Sequence, residues 1–341
     1  MRIASVGYSI VVRLRNFLYS RGWIKAHHVN AAVICIGNIT VGGTGKTPLV
    51  AWLYKQIAPG YKCAILTRGY KSALDSKSGT QGPVDEPAML AEACPRAQVI
   101  VNPDRVAGAA EAIAKFGAEV LIMDDGFQHR RLARDLDIVA IDATRPFGYG
   151  KMLPAGLLRE PVTSLRRADA VVITRCDQIS GIELDTLDSR VRSFNPGAVV
   201  SRTSHAPVCA IRADGAKTGI EQLKCKKIFA FCGIGNPGAF LKTIESLGSV
   251  LVGSLEYDDH HHYTKACLDE IRERAEELGA ELILTTQKDW TKIVADFRSQ
   301  ISDSQSSLPF AYLAIEIQFS TGENELKSLI ERTIAGRIPQ T

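Results

Sequence analysis

Gly37-Asn38-Ile39-Thr40-Val41-Gly42-Gly43-Thr44-Gly45-Lys46-Thr47-Pro48 is the stretch that decides the fold. An apolar run of strand length, 32–36, leads into it, and 46–57 reads as a helix leaving it. Gly42, Gly43 and Gly45 let successive backbone N–H groups, with that of Thr44 among them, converge on one centre. Lys46 supplies a positive charge suited to β- and γ-phosphates, and Thr47 a hydroxyl suited to Mg²⁺. The partial positive charge at the start of the following helix acts in the same sense. The common pattern GxxxxGK[ST] places glycine where this chain has Thr40, so the loop is a variant. Strand, loop and helix in this order favour nucleotide binding over a purely structural glycine turn.

Outward from this loop the pattern is α/β. Apolar runs at 63–67, 98–101, 120–123, 138–141 and 170–174 have the length of buried strands, and 87–93 and 103–116 read as helices. Such alternation predicts a parallel sheet covered on both faces. Residues 142–168, with three prolines and three glycines, read as an ordered functional loop. A second α/β unit starts near Lys226, with strands expected at 228–234, 250–255, 282–286 and 310–317 and helices at 237–246, 264–278 and 323–333. The expected organisation is an N-terminal amphipathic helix and linker over 1–30 and a P-loop NTPase-type parallel-sheet domain over 31–210. A hinge over 211–225 and a smaller α/β domain over 226–341 follow, with a cleft between the two domains.

Composition excludes disorder and fibrous repeats: 45% of residues are hydrophobic and 23% charged. Eight cysteines without a CxxC pair read as reduced thiols of a cytosolic protein. No apolar run reaches the roughly 20 residues needed to span a bilayer. The net charge of +4 is modest but unevenly placed, because ten Lys and Arg residues precede the first acidic residue, Asp75. That asymmetry points to an anionic partner. Within 3–21, Ile3, Val6, Ile10, Val11, Leu14, Phe17 and Leu18 form one broad apolar stripe at helical spacing, flanked by Arg13 and Arg15. The stripe suits either the interface of an anionic membrane or packing on the protein's own domain.

Three acidic groups are candidates for chemistry. Asp124-Asp125 ends an apolar strand, where a parallel sheet delivers ligands beside its phosphate loop; spacing leaves open which of the two holds Mg²⁺. Asp85-Glu86-Pro87 opens a helix, a position equally suited to a cap. Asp259-His260-His261-His262 pairs carboxylate with imidazole for proton transfer more readily than it forms a zinc site, since adjacent positions rarely face one centre.

Taken in order, residues 33–48, Arg68-Gly69-Tyr70, Asp85-Glu86-Pro87, Asp124-Asp125-Gly126-Phe127-Gln128-His129, Leu153-Pro154-Ala155-Gly156, Leu158-Arg159-Glu160, the run 232–237, Asp259-His260-His261 and 286–290 resemble the tetraacyldisaccharide 4′-kinase family of lipid A biosynthesis. The resemblance covers roughly 5–335, and DDGFQHRRL and LPAGLLREP are its specific motifs. It implies ATP-dependent phosphorylation of the 4′-hydroxyl of a tetraacylated glucosamine disaccharide 1-phosphate, at the cytoplasmic face of the bacterial inner membrane, by a peripheral protein without a nucleic-acid partner. It also implies that Lys46 and Thr47 serve ATP and Mg²⁺, with Asp124 and Glu160 around the metal. Asp85 would be the general base, assisted by His260 in preference to His261. Asp125 joins the catalytic set, and Arg68, Gln128, His129 and Arg159 are further site candidates. The competing reading is a P-loop GTPase or metal-insertion chaperone, because Thr174-Arg175-Cys176-Asp177 is placed like the guanine-reading NKxD motif, though with Thr in its first position. A nucleotide-sensing module without transferase activity is a more remote alternative.

Overall fold

The computed structural model describes residues 2–69, 85–259, 261–301 and 308–338. From the N-terminus come α1 (Arg2–Ser20), β1 (Ala32–Gly37), α2 (Lys46–Ile57), β2 (Cys63–Thr67), α3 (Asp85–Ala93), β3 (Gln98–Val101), α4 (Arg105–Phe116), β4 (Val120–Asp124), β5 (Leu136–Asp142), β6 (Ala170–Thr174), α5 (Gly181–Phe194) and β7 (Val199–Arg212). There follow β8 (Lys217–Gly219), β9 (Lys227–Cys232), α6 (Pro237–Ser246), β10 (Val250–Glu256), α7 (Lys265–Glu277), β11 (Leu282–Thr286), α8 (Gln287–Ile301), β12 (Phe310–Thr321) and α9 (Glu323–Arg337). The chain forms two compact units, one from the chain up to Gly69, Leu90–His205 and the segment from Ile317, the other centred on Ala206–Glu316.

In the first unit the strands run in the order β3-β2-β4-β1-β5-β6-β7, all pairs parallel. The period-2 alternation of β1 explains why both faces are covered. Val33 and Cys35 enter one core with Ala109 and Ala112 of α4 and Leu187 and Val191 of α5. Ala32, Ile34 and Ile36 enter the other with Leu49, Leu53 and Ile57 of α2 and Leu326, Ile330 and Ile334 of α9. The C-terminal helix therefore belongs to the first unit, whereas the sequence pattern assigned everything from 226 onward to the second domain. Each of those three aliphatic side chains gains about 2 kcal/mol on full burial, more than any polar contact at the helix surface. Trp52 and Phe319 pack with ring centroids 4.7 Å apart on the same face.

The second unit has strands in the order β10-β9-β11-β12, again parallel, with β8 antiparallel to β7. Phe229, Phe231, Ile283 and Phe310 meet α7 and α8 through Leu268, Ile271, Trp290 and Ile293. Ile228, Ala230 and Leu284 meet Ile244 of α6 on the other face. The expected hinge at 211–225 is regular structure instead: the end of β7, β8, and a 3₁₀ turn at Ile220–Leu223. All eight cysteines are unpaired.

α1 is oriented with its polar side inward. Ser5, Tyr8 and Asn16 make hydrogen bonds to the first unit, and Val12 is buried beside them. Its apolar residues Val6, Ile10, Leu14 and Phe17 are 60%, 60%, 55% and 45% exposed. The helix packs on its own unit through its polar side and Val12, while these residues of the stripe stay exposed. No described helix is long and apolar enough to cross a membrane.

Candidate active site

The phosphate loop lies at the carboxyl end of β1, where the strand order reverses between β4 and β5, the customary ligand position in such sheets. Gly42 and Gly45 adopt φ of +104° and +78°, conformations that strain any side chain. Thr40 is not in the left-handed region, so its backbone does not require the glycine of the common motif. It forms a bridge with Leu158, Val41 N–H donates to Leu157 O at 2.7 Å, and Arg159 N–H donates to Ile39 O at 2.8 Å. The segment that carries Leu158-Arg159-Glu160 is thus laced to the entrance of the phosphate loop, which is the physical reason the two motifs occur together.

That lacing delivers Arg159 to Asp125. The guanidinium donates to both carboxylate oxygens, at 3.0 and 2.8 Å, and Lys46 Nζ lies 3.3 Å from the same carboxylate. Burial opposes ionisation of Asp125, but Lys46 and Arg159 more than offset it and hold the carboxyl well below the usual range. Asp125 itself sits at φ +49°, an uncommon conformation for a non-glycine residue and one found at functional sites. Asp124, the last residue of β4, is buried and pairs in register with Ile36, so it stands beside the strand that feeds the loop. Gln128 Nε2 donates to Asn38 O at 2.7 Å, and Asn38 Nδ2 donates to Thr44 Oγ1 at 3.1 Å, which fixes the loop from the side of DDGFQH. His129 is part-buried, and burial together with Arg105, Arg134 and Arg131 lowers its pKa to about 4. Arg68 is exposed at the end of β2.

Glu160, expected around the metal, is fully buried. It accepts from Asn16 Nδ2 at 2.7 Å and from Arg167 Nη2 at 3.2 Å, and Arg15 stands at ion-pair distance, 3.5 Å. The side chains of Asp85 and Glu86, and all of His260, lie outside the described residues. In the second unit His261 stacks on Tyr257 at 4.3 Å and its Nε2 lies 3.6 Å from Cys267 Sγ, so its ring is engaged within its own unit. Asp259 accepts from Lys288 Nζ at 2.8 Å. Asp289, also buried, accepts from Gly233 N–H at 2.9 Å and Thr286 Oγ1 at 2.7 Å, which gives the run 286–290 the task of shaping the 232–237 turn.

The sequence reading missed the floor of the phosphate loop. Arg175 donates to Gly43 O at 2.9 Å and to Asp142, while Thr174 Oγ1 donates to Thr44 O at 2.9 Å. Asp142 is held in turn by the Thr144 hydroxyl at 2.7 Å. With the carbonyls of 43 and 44 drawn down, the N–H groups of Gly42, Gly43, Thr44 and Gly45 make no hydrogen bond among the described residues. His205 closes the floor: a Cβ at position 45 would collide with its Nε2. Burial, and then Arg175, lower its pKa to about 3, so the ring is neutral. The side chains of Thr174 and Arg175, placed like the NKxD motif, are engaged with the loop backbone and with Asp142. Proximity to the loop was the missing signal, since these residues are 130 or more positions away.

Nucleotide and metal fit these donors. Four backbone N–H groups and Lys46 suit a polyphosphate. Among the described residues no group of three or more His, Cys, Asp or Glu is arranged to hold a metal. A hydroxyl and one or two carboxylates, the set offered by Thr47 and Asp124 or Asp125, is what Mg²⁺ needs when it shares substrate phosphates.

The family model described as tetraacyldisaccharide-1-P 4′-kinase matches residues 1–335. The chain belongs to this family. A tetraacyldisaccharide 4′-kinase of Syntrophus aciditrophicus is 39% identical, with 93% of this chain and 88% of that protein covered. One of Halothermothrix orenii is 34% identical, covering 95% and 90%. The crystal structure of LpxK from Aquifex aeolicus in complex with ATP superposes with a TM-score of 0.71 at 28% identity, covering 97% of both chains.

Proposed function

We propose that this family member transfers the γ-phosphate of ATP to the 4′-hydroxyl of a tetraacylated glucosamine disaccharide 1-phosphate. The observation that carries the reading is the cluster of Lys46, Asp125 and Arg159 on a glycine loop whose N–H groups are left unengaged. Phosphoryl transfer asks the protein mainly for positioning and for charge neutralisation. The loop N–H groups and Lys46 hold the phosphates, and Arg159, fixed through Asp125, keeps a second cation beside them. Thr47 and Asp124 would hold Mg²⁺, which would supply neutralisation of phosphate charge. Asp85 accepts the hydroxyl proton late in the transfer, and His260 supports it, the roles the family resemblance implies.

The acyl chains of the substrate remain in a bilayer, so the enzyme must work at its surface. The outward apolar face of α1 and the acid-free N-terminal 74 residues support docking at an anionic, cytoplasmic membrane face, with no transmembrane segment required. The test is transfer of radiolabelled phosphate from ATP to the disaccharide 1-phosphate in the presence of Mg²⁺. Asp85→Ala is expected to lower kcat a hundredfold or more, on the order of a general base's contribution, with ATP affinity nearly unchanged. Labelled lipid formed equally well by the variant would remove Asp85 from the mechanism, and a failure of the wild type to label the lipid would overturn the function itself.

A further inference from the structure

Beside the C-terminal end of α1 lies a cleft of about 490 Å³ that the phosphotransfer chemistry does not use. Tyr19, Lys25, His28, Arg130, Arg134 and Asp137 line it together with smaller apolar residues. Charge in this cleft is not balanced. Arg134 is neutralised by Asp137, 3.0 Å away. Arg130 has no carboxylate within ion-pair distance among the described residues: it donates to Asn16 O at 2.9 Å and lies over the Tyr19 ring, 4.9 Å from its centroid. Burial, and then Arg167 and Arg134, pull the Arg130 pKa down to about 10, the direction expected where cations gather without enough anions. Lys25, exposed at the mouth, adds a second unpaired cation among the described residues.

Ile24, Ala26 and Leu132 add apolar surface to the lining. Trp23, next to Ile24 in the chain, is 73% exposed and meets Phe17 edge-on at 6.1 Å. An exposed tryptophan next to such a cleft suits the headgroup level of a bilayer, with its ring among acyl chains and its N–H in the wet layer. A cationic recess with apolar lining beside an exposed aromatic pair matches an amphiphile with an anionic head. We propose that this cleft receives the phosphate headgroup of an anionic membrane lipid, with Arg130 and Lys25 as its ligands. The proposal rests on the membrane reading above and adds to it a specific site: headgroup binding would seat α1 in register with the surface.

The experiment uses the full chain, vesicles of phosphatidylcholine alone or mixed with phosphatidylglycerol, and Trp23 emission. Trp52 and Trp290 are buried, so a blue shift on binding reports on Trp23. The expected result is preferential binding to phosphatidylglycerol vesicles, weakened about tenfold by Lys25→Glu and by Arg130→Gln. Arg13→Glu, the same charge change as Lys25→Glu at an exposed position of α1 outside the cleft, is expected to weaken it much less. Arg130→Gln keeps a donor for Asn16 O, and Lys25 makes no hydrogen bond among the described residues, so neither variant depends on a damaged structure. Equal loss from Arg13→Glu would mean diffuse attraction and overturn the site. So would wild-type binding that is indifferent to phosphatidylglycerol, although the membrane reading would then stand. Inorganic phosphate that raises the wild-type Tm but not that of Lys25→Glu, without any lipid preference, would reassign the cleft to a soluble anion and overturn the lipid proposal. Binding to neither vesicle would overturn both readings.

Discussion

Arg175 and His205 have the largest consequences for the loop per atom displaced. A guanidinium reaches Gly43 O and Asp142 together because its donors form a rigid fork, and a lysine ammonium cannot replace both contacts. Charge-assisted hydrogen bonds contribute about 1.5–3 kcal/mol. Arg175→Lys is therefore expected to raise the KM for ATP roughly tenfold while kcat at saturation changes little, which steady-state kinetics will measure; an unchanged KM would show that the loop holds its shape without this floor. For His205 the sign follows from its depressed pKa. The folded state refuses a proton that the unfolded histidine accepts near 6.5, so stability is full above that value and falls as the pH drops toward about 3. The loss is about 1.4 kcal/mol per pH unit. Urea unfolding at pH 5 against pH 7 should accordingly show about 2 kcal/mol more acid destabilisation in the wild type than in His205→Gln. Equal slopes would mean that the imidazole finds an acceptor when protonated.

At the level of elements, the segment 152–160 joins α1 to the phosphate loop. Tyr8 donates to Arg159 O at 3.1 Å, and Asn16 to Glu160 at 2.7 Å, one residue from the arginine that grips Asp125. Removing a buried carboxylate strands its cationic partners, at a cost of about 3–5 kcal/mol. Glu160→Ala should thus lower the thermal midpoint by several degrees in the absence of nucleotide and metal, as calorimetry will measure. A metal ligand would behave in the opposite way, leaving the midpoint alone and weakening Mg²⁺ dependence. The three partners of Glu160 were not legible in the sequence, where it stands in a motif far from Asn16 and Arg15. Most strands were legible because buried parallel strands are continuous apolar runs, but β7, whose burial is mixed, and the short β8 were not. α5 was missed because only Leu187 and Val191 of its apolar residues are buried, and α8 because it follows β11 without a connecting residue. The placement of α9 depended on a packing partner 290 residues upstream, which no local period can reveal. At the site, Lys46, Asp125 and Arg159 were named from motif and resemblance, whereas the floor of Asp142, Thr174, Arg175 and His205 exists only once β5, β6 and β7 lie side by side.

Across the whole molecule, the polar side of α1 is satisfied by the protein and the apolar side is left to solvent, the reverse of a helix that stabilises a soluble domain. Such exposure costs free energy in water, and the proposed docking at a lipid surface would recover it. Ile10 and Phe17 lie on that outward face, so their replacement leaves the core untouched. Each contributes about 1.5 kcal/mol when buried among acyl chains. Ile10→Gln combined with Phe17→Gln should then weaken partition onto vesicles on the order of a hundredfold. The same double variant should raise the apparent KM for lipid presented in vesicles, yet keep its KM for ATP and its rate on detergent-dispersed substrate. Equal activity of variant and wild type on vesicles would show that the outward face has another use. Equal loss on vesicles and in detergent would show that it contacts the substrate itself and not the bilayer around it.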